Sequence, residues 1–237
     1  MDPIIDLDTL AGSWPLRRAD ISVQRLLQMM ESHQVGESCV VSARGIFYDD
    51  LAGNSETLMW CAKETRLIPA GTIDLRRFVG YRDEIRRMTD AGVKLWRLFP
   101  EHQSWSLDMA PFRRVLRALE DAGAVLFIYG QPSAVARATA GARIPVILGA
   151  HYYQMADLLA VMEEGAGFYV STRQLHGPGA LETMIAEMGA DRLIFGSGAP
   201  LSAQGAALKR ITSAGIAPEI RHAILGGNLR RLLGRVR

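Results

Sequence analysis

Two aspartates open the chemistry of this chain. They alternate near its start, in Ile4-Ile5-Asp6-Leu7-Asp8, and alternate residues of an extended strand share a face. Paired carboxylates can share a proton or bind a hard cation. The competing reading keeps Asp6 buried, accepting hydrogen bonds from loop amides, with Asp8 alone facing a pocket. His151 ends the run Val146-Ile147-Leu148-Gly149-Ala150. Its imidazole titrates near neutrality, which suits a general acid/base or a substrate contact; it can equally be a polar loop residue beside Tyr152 and Tyr153. Arg97 and Arg173 stand near the ends of two other apolar runs. A guanidinium at a pocket rim can grip a carboxylate with two parallel hydrogen bonds, or it can serve as a surface ion-pair partner. Tyr129 closes Val125-Leu126-Phe127-Ile128; its hydroxyl can donate to an oxyanion, or its ring can fill an interior.

Other residues carry weaker signals. His102 and His176 read as solvated loop histidines, and His33 and His222 fall inside helical patterns. Gly196-Ser197-Gly198 exposes backbone N–H groups of the kind that can cradle an anion. Trp14-Pro15 and the loop from His102 to Trp105 bring aromatics that can wall a small-ligand pocket or make a subunit contact, as in a homodimer.

These residues must be positioned by something. Short apolar runs at 4–7, 39–42, 67–73, 93–98, 125–129, 145–148, 168–170 and 193–195 have the length of buried parallel strands. Amphipathic segments at 23–32, 111–122, 153–164, 179–188, 203–214 and 218–233 lie between them, several with a glycine just past the end. Eight strands alternating with helices predict a parallel α/β architecture. For 237 residues a single (β/α)8 TIM-type barrel over 1–237 is the natural closure. A doubly wound open sheet is the alternative, but no glycine-rich dinucleotide loop follows the first strand. Active sites in such barrels lie at the C-terminal ends of the strands, which is where the residues above fall.

Composition narrows the function classes. The net charge is +2, which argues for neither nucleic acid nor a membrane surface as partner. The two cysteines, Cys39 and Cys61, match no metal or redox spacing and read as small core residues. No secretory signal and no apolar run of about 18 residues is present, so a soluble, cytoplasmic protein is expected.

Several segments together resemble the amidohydrolase-related family of the amidohydrolase-2 type. Phe195-Gly196-Ser197-Gly198-Ala199-Pro200 is similar to the family's F-G-S-D-x-P strand end. The first strand, Ile4 to Leu10, resembles I-D-x-H-x-H. Gly12-Ser13-Trp14-Pro15-Leu16-Arg17 is similar to a G-x-W-P-x-R stretch. The runs at 92–101, 125–129 and 145–151 resemble the family's fourth, fifth and sixth strands. The resemblance implies the barrel and also a metal site, yet residue by residue that site is missing. The two first-strand histidines fall on Asp8 and Leu10, the strand-five histidine on Tyr129, and the strand-eight aspartate on Gly198; only His151 keeps a ligand type. A catalytic zinc site takes about three protein ligands, so no metal and no cofactor are expected. The expectation is a metal-independent hydrolase or lyase acting on a small carboxylated molecule. His151 would be acid/base with Asp8 as its partner, Arg97 or Arg173 would bind the carboxylate, and Tyr129 would contact substrate. The alternative is a catalytically silent barrel that binds a ligand or partner.

Overall fold

The computed structural model describes residues 3–77, 79–150, 154–165 and 167–234. Nine strands form one sheet in the order β2-β1-β3-β4-β5-β6-β7-β8-β9. They are β1 (Ile4–Ser13), β2 (Asp20–Ile21), β3 (Val35–Ser42), β4 (Leu67–Gly71), β5 (Leu95–Leu98), β6 (Val125–Tyr129), β7 (Val146–Gly149), β8 (Phe168–Ser171) and β9 (Leu193–Ile194). All neighbouring pairs are parallel except β1 with β2, a short antiparallel ribbon at the end of the first strand. The sheet curls until its last strand meets its first. Leu7 N donates to Phe195 O at 2.9 Å, Gly198 N to Asp8 O at 2.8 Å and Leu10 N to Ala199 O at 3.1 Å. This is the expected barrel, with β2 as an addition at its mouth.

Alternation along the strands sorts the core into an interior and an outer layer. In β5 and β6, Leu95, Val125 and Phe127 pack inside, with Tyr129 against them, whereas Trp96, Leu98, Leu126 and Ile128 face the surrounding helices. Arg97 takes the inward position between Leu95 and Phe99. The interior below it is apolar and closed at the bottom by Leu229 and Leu233. Cys39 belongs to that interior; Cys61 is half-buried, and burial pushes its thiol up to about 12.

The helices are α1 (Val23–Ser32), α2 (Ala43–Phe47), α3 (Asp50–Lys63), α4 (Tyr81–Asp90), α5 (Pro100–Gln103), α6 (Ala110–Asp121), α7 (Pro132–Thr139), α8 (Met155–Glu164), α9 (Ala180–Met188), α10 (Gln204–Thr212), α11 (Pro218–His222) and α12 (Asn228–Leu232). α3, α4 and α7 complete the outer layer without having been singled out in the sequence. α4 buries Tyr81, Glu84, Ile85 and Met88, a helical period interrupted by a charged residue. Glu84 is buried because Arg87 and Asn54 hydrogen-bond its carboxylate. The continuous helix expected over 218–233 is instead broken by a π-turn at Ala223–Gly227. A side chain at Gly226 would strike Pro3 O at 2.9 Å, so the first strand and this turn pack backbone to backbone. Among the described residues, no helix is long and apolar enough to cross a membrane.

Candidate functional site

The barrel mouth is organised around one carboxylate. Asp8 is fully buried, at a stretch of β1 where the pairing with β3 slips by one residue, Asp6 opposing Ser38 and Thr9 opposing Val40. Such a bulge re-aims side chains. Arg97 donates from Nη2 to Asp8 Oδ1 and from Nη1 to Thr9 O at 2.8 Å. Arg173 lies in the 3-10 turn Thr172–Gln174 after β8; its Nη1 donates to Asp8 Oδ2 at 3.1 Å. The Tyr129 hydroxyl donates to the same Oδ2 at 2.5 Å. The three residues named from the sequence as substrate-binding candidates thus converge on Asp8, named there as the partner of a catalytic histidine.

The two arginines differ in setting. Arg97 is 3% exposed, its guanidinium lying over the rings of Phe99 and Phe127 at 5.1 and 5.0 Å. It is an interior residue and makes no surface ion pair. Its Nε has no hydrogen-bond partner among the described residues. Arg173 is partly open to the mouth, with its side chain 23% exposed. One buried negative charge faces two positive ones, so the cluster carries a surplus of one positive charge. Burial alone would raise the Asp8 carboxyl, but Arg97, Arg173 and the Tyr129 hydrogen bond together hold it below its ordinary value. Burial, with the Asp8 charge beside it, pushes the Tyr129 phenol well above its ordinary value. Neither group exchanges protons near neutral pH.

Two glycines make room for this arrangement. A Cβ at Gly198, whose φ is +78°, would lie within 2.7 Å of Nε, Cζ and Nη2 of Arg173. A Cβ at Gly149 would lie 2.5 Å from the Tyr129 ring. Gly198 and Arg173 are therefore one feature, as are Gly149 and Tyr129. The anion cradle expected of Gly196-Ser197-Gly198 is not formed. Its amides are already engaged: Gly196 N with Thr172 Oγ1, Ser197 N with Asp6 Oδ1 and Gly198 N with Asp8 O.

Asp6 and Asp8 do not work as a pair. Asp6 accepts from Asp8 N at 3.1 Å, Ser197 N at 3.0 Å, Ser197 Oγ at 2.5 Å and Gln204 Nε2 at 2.9 Å. It ties β1 to the last strand and to α10. Burial pushes its carboxyl up to about 6, against the hydrogen bonds from Gln204 and Ser197, which lower it.

A cavity of about 190 Å³ opens beside the cluster, lined among others by Leu10, Trp14, Phe99, His102, Tyr129 and the two arginines. Its size suits a small ligand. His102, read from the sequence as solvated, is exposed, yet its ring stands edge-on to Trp14, Phe47 and Phe99 at 5.7, 5.7 and 6.0 Å. Burial depresses its imidazole, the nearby Glu101 partly opposing, so it is neutral at pH 7. The signal that could have found it is its place three residues beyond Phe99, on the one-turn helix α5 that caps the mouth. Trp105, by contrast, is not at the mouth: it packs in the outer core against Phe112 at 5.7 Å. His151 lies outside the described residues. Among the described residues, no group of three or more His, Cys, Asp or Glu side chains comes together as a metal ion would need.

The chain matches the amidohydrolase family (Amidohydro_2) over residues 9–235. No curated protein matches it. Solved structures that resemble it include 2,6-dihydroxybenzoate decarboxylase from Rhizobium, with a TM-score of 0.79, 16% identity and 99% of each chain covered. A candidate 2-pyrone-4,6-dicarboxylic acid hydrolase from Pseudomonas putida superimposes with a TM-score of 0.76 at 18% identity, covering 98% of this chain and 97% of that one. An uncharacterised TIM-barrel protein from Bordetella bronchiseptica gives 0.76 at 16% identity, covering 98% and 99%. At these identities the likeness establishes the barrel fold, and the family match over nearly the whole length establishes the lineage: the chain belongs to the amidohydrolase family.

Proposed function

We propose that this barrel is a hydrolase or lyase that works on a small carboxylated ring compound without a bound metal. The observation that carries the reading is the convergence of Arg97, Arg173 and Tyr129 on Asp8, beside a cavity walled by aromatic rings. Asp8 balances one of the two guanidiniums; Glu101 also lines the cavity, and among the described residues no ion pair joins it to either arginine. An anionic ligand of matching size would meet Arg173 as the accessible donor. Trp14, Phe99 and His102 offer ring edges and faces to a planar ligand. Two of the similar structures are named for a dihydroxybenzoate decarboxylase and a candidate pyrone-dicarboxylic acid hydrolase, both acting on ring carboxylates.

The donor set supports metal independence. A divalent cation placed at Asp8 would face two guanidinium groups across a carboxylate whose oxygens are already engaged. Like charges in a poorly solvated pocket repel strongly. Leu10 and Gly198 contribute no donor side chain, so the described residues do not fit a metal. Proton transfer falls to imidazoles: His151, named from the sequence, and His102, neutral and in the cavity wall. Asp8 acts by positioning, holding both guanidiniums in place.

A second reading, a barrel that binds the carboxylate without turning it over, is favoured by the protonation states of Asp8 and Tyr129, which leave neither able to move a proton near pH 7. One experiment separates the two. Chelator-dialysed protein is screened by calorimetry for binding of ring carboxylates, and by chromatography for turnover of ring carboxylates, lactones and esters. The expected result is saturable carboxylate binding weakened by Arg173→Met, with turnover lost in His151→Ala or His102→Ala. Binding with no turnover selects the silent barrel. Activity that returns only with added zinc or manganese refutes the metal-independent reading.

A further inference from the structure

α3 turns its polar side inward and its apolar side to solvent. The buried residues are Asp50, Gly53, Asn54 and Thr57. Gly53 lies against the backbone of Gly45, whose N and Cα would stand 2.2 and 2.3 Å from a Cβ there. Asn54 pairs with Thr72: Nδ2 donates to Thr72 O and Oδ1 accepts from Thr72 N, both at 3.0 Å. Thr57 Oγ1 accepts from Ser42 N at 3.0 Å. These ties fix α3 to α2 and to the ends of β3 and β4, and they leave large apolar side chains outside.

Tyr48, just ahead of the helix, is 63% exposed, Leu51 49% and Met59 47%. Together with Ser55, Leu58 and Ala62 they form one stripe, at helical spacing along a single side of α3. From Leu51 to Ala62 it runs about 16 Å, and it carries no charged residue. Its serine hydroxyl is spent on Leu51 O at 2.9 Å. The next helix, α4, instead turns Arg82, Asp83, Arg86 and Asp90 to solvent, as a helix does whose outer face meets water. A continuous exposed apolar strip marks an interaction surface.

The stripe also selects what covers it. Its pattern is symmetric about Ser55: Leu51 and Met59 stand four residues to either side, Tyr48 and Ala62 seven to either side. Two copies of α3 packed antiparallel across a two-fold axis at Ser55 place each Leu51 against the partner's Met59. They place each Tyr48 against the partner's Ala62, large beside small, with the two serines at the closest approach. The ends match in charge as well. Lys63, exposed and in no ion pair among the described residues, lies in the last turn; in the antiparallel pair it falls beside the partner's Asp49 at the start of the helix.

We propose that α3 is a homodimer contact, in which two copies of this chain pack antiparallel about Ser55. The contact does not depend on the reading of the mouth, although its edge lies one ring away: Tyr48 packs against Phe47 at 6.5 Å, and Phe47 against His102 at 5.7 Å.

The test is sedimentation equilibrium at tens of micromolar on the wild-type chain, on Ser55→Glu, on Ser55→Lys and on an equal mixture of the two variants. The wild type is expected at twice the mass of one chain. A charge at position 55 meets its own copy across the axis, so each variant alone is expected to associate about a hundredfold more weakly. The mixture, which sets Glu against Lys, is expected to recover the dimer. Under mild oxidation Ser55→Cys is expected to give a covalent dimer, whereas Leu51→Cys, which faces Met59, is not; the wild type, with Cys39 and Cys61, is the blank. A monomeric wild type overturns the proposal. A dimer that survives both charged variants places the contact on another face and overturns it too. Loss without recovery in the mixture, or a dimeric Ser55→Cys chain that does not cross-link, overturns the two-fold pairing about Ser55.

Discussion

Replacing Asp8 with Asn keeps the shape of the mouth and removes the buried carboxylate that Arg97 and Arg173 share. The cost follows from where the two guanidiniums are held. Arg173 is 23% exposed and can turn toward water. Arg97 is 3% exposed, tied to Thr9 O and lying over Phe99 and Phe127, so it has nowhere to go. Breaking a buried pair from one side leaves an uncompensated charge and costs about 3–5 kcal/mol. Asp8→Asn is therefore expected to lose about 4 kcal/mol, whereas Arg173→Met, which removes one charge-assisted hydrogen bond from a carboxylate still held by Arg97 and Tyr129, is expected to lose only about 1.5 kcal/mol. Adding Arg97→Met to Asp8→Asn should recover most of the loss, because the stranded charge goes with it. Urea unfolding followed by tryptophan fluorescence measures all four proteins. The sign with pH is fixed as well: the Asp8 carboxyl is held below its ordinary 3.8, so its stabilisation is complete above that pH and fades as pH falls through the folded value. The gap between wild type and Asp8→Asn should close only below about pH 3.8. A loss under about 1 kcal/mol, or no recovery in the double variant, refutes the claim that Asp8 exists to balance Arg97.

Three further outcomes are expected. Gly198→Ala places a Cβ within 2.7 Å of the Arg173 guanidinium at a backbone φ of +78°, so it should displace Arg173 and weaken carboxylate binding; in calorimetry its effect should not add to that of Arg173→Met. The Asp6 carboxyl, raised to about 6, contributes stability that is fully present below pH 3.8 and lost as pH rises through 6, by about 3 kcal/mol for a shift of about two units. Wild type measured against Asp6→Asn should therefore lose ground between pH 4 and 6, and a flat difference would contradict the assignment. His102 should titrate below its ordinary 6.5 in a carbon–proton NMR titration, and a midpoint above that value would place the ring in water, away from its aromatic neighbours.

The sequence by itself determined the barrel. Strand and helix periods are local, and eight apolar runs spaced by amphipathic segments leave few ways to close. It also determined which residue types reach the mouth, because strand ends can be counted. Arg97, from the sequence a rim guanidinium or a surface ion-pair partner, is turned inward by the fold, two residues from Leu95 and from Phe99. Interrupted periods hid the rest. α4 carries Glu84 in its buried face, legible only once Asn54 and Arg87 are seen against it. Only the tertiary structure decided the charge pattern of the site. Asp8 meets Arg97 across 89 residues and Arg173 across 165, contacts created by closure of the sheet and by no local rule. The same holds for Gly198. Along the chain it is an absent side chain; in the fold it is the space that Arg173 occupies, because a guanidinium and a Cβ cannot share it.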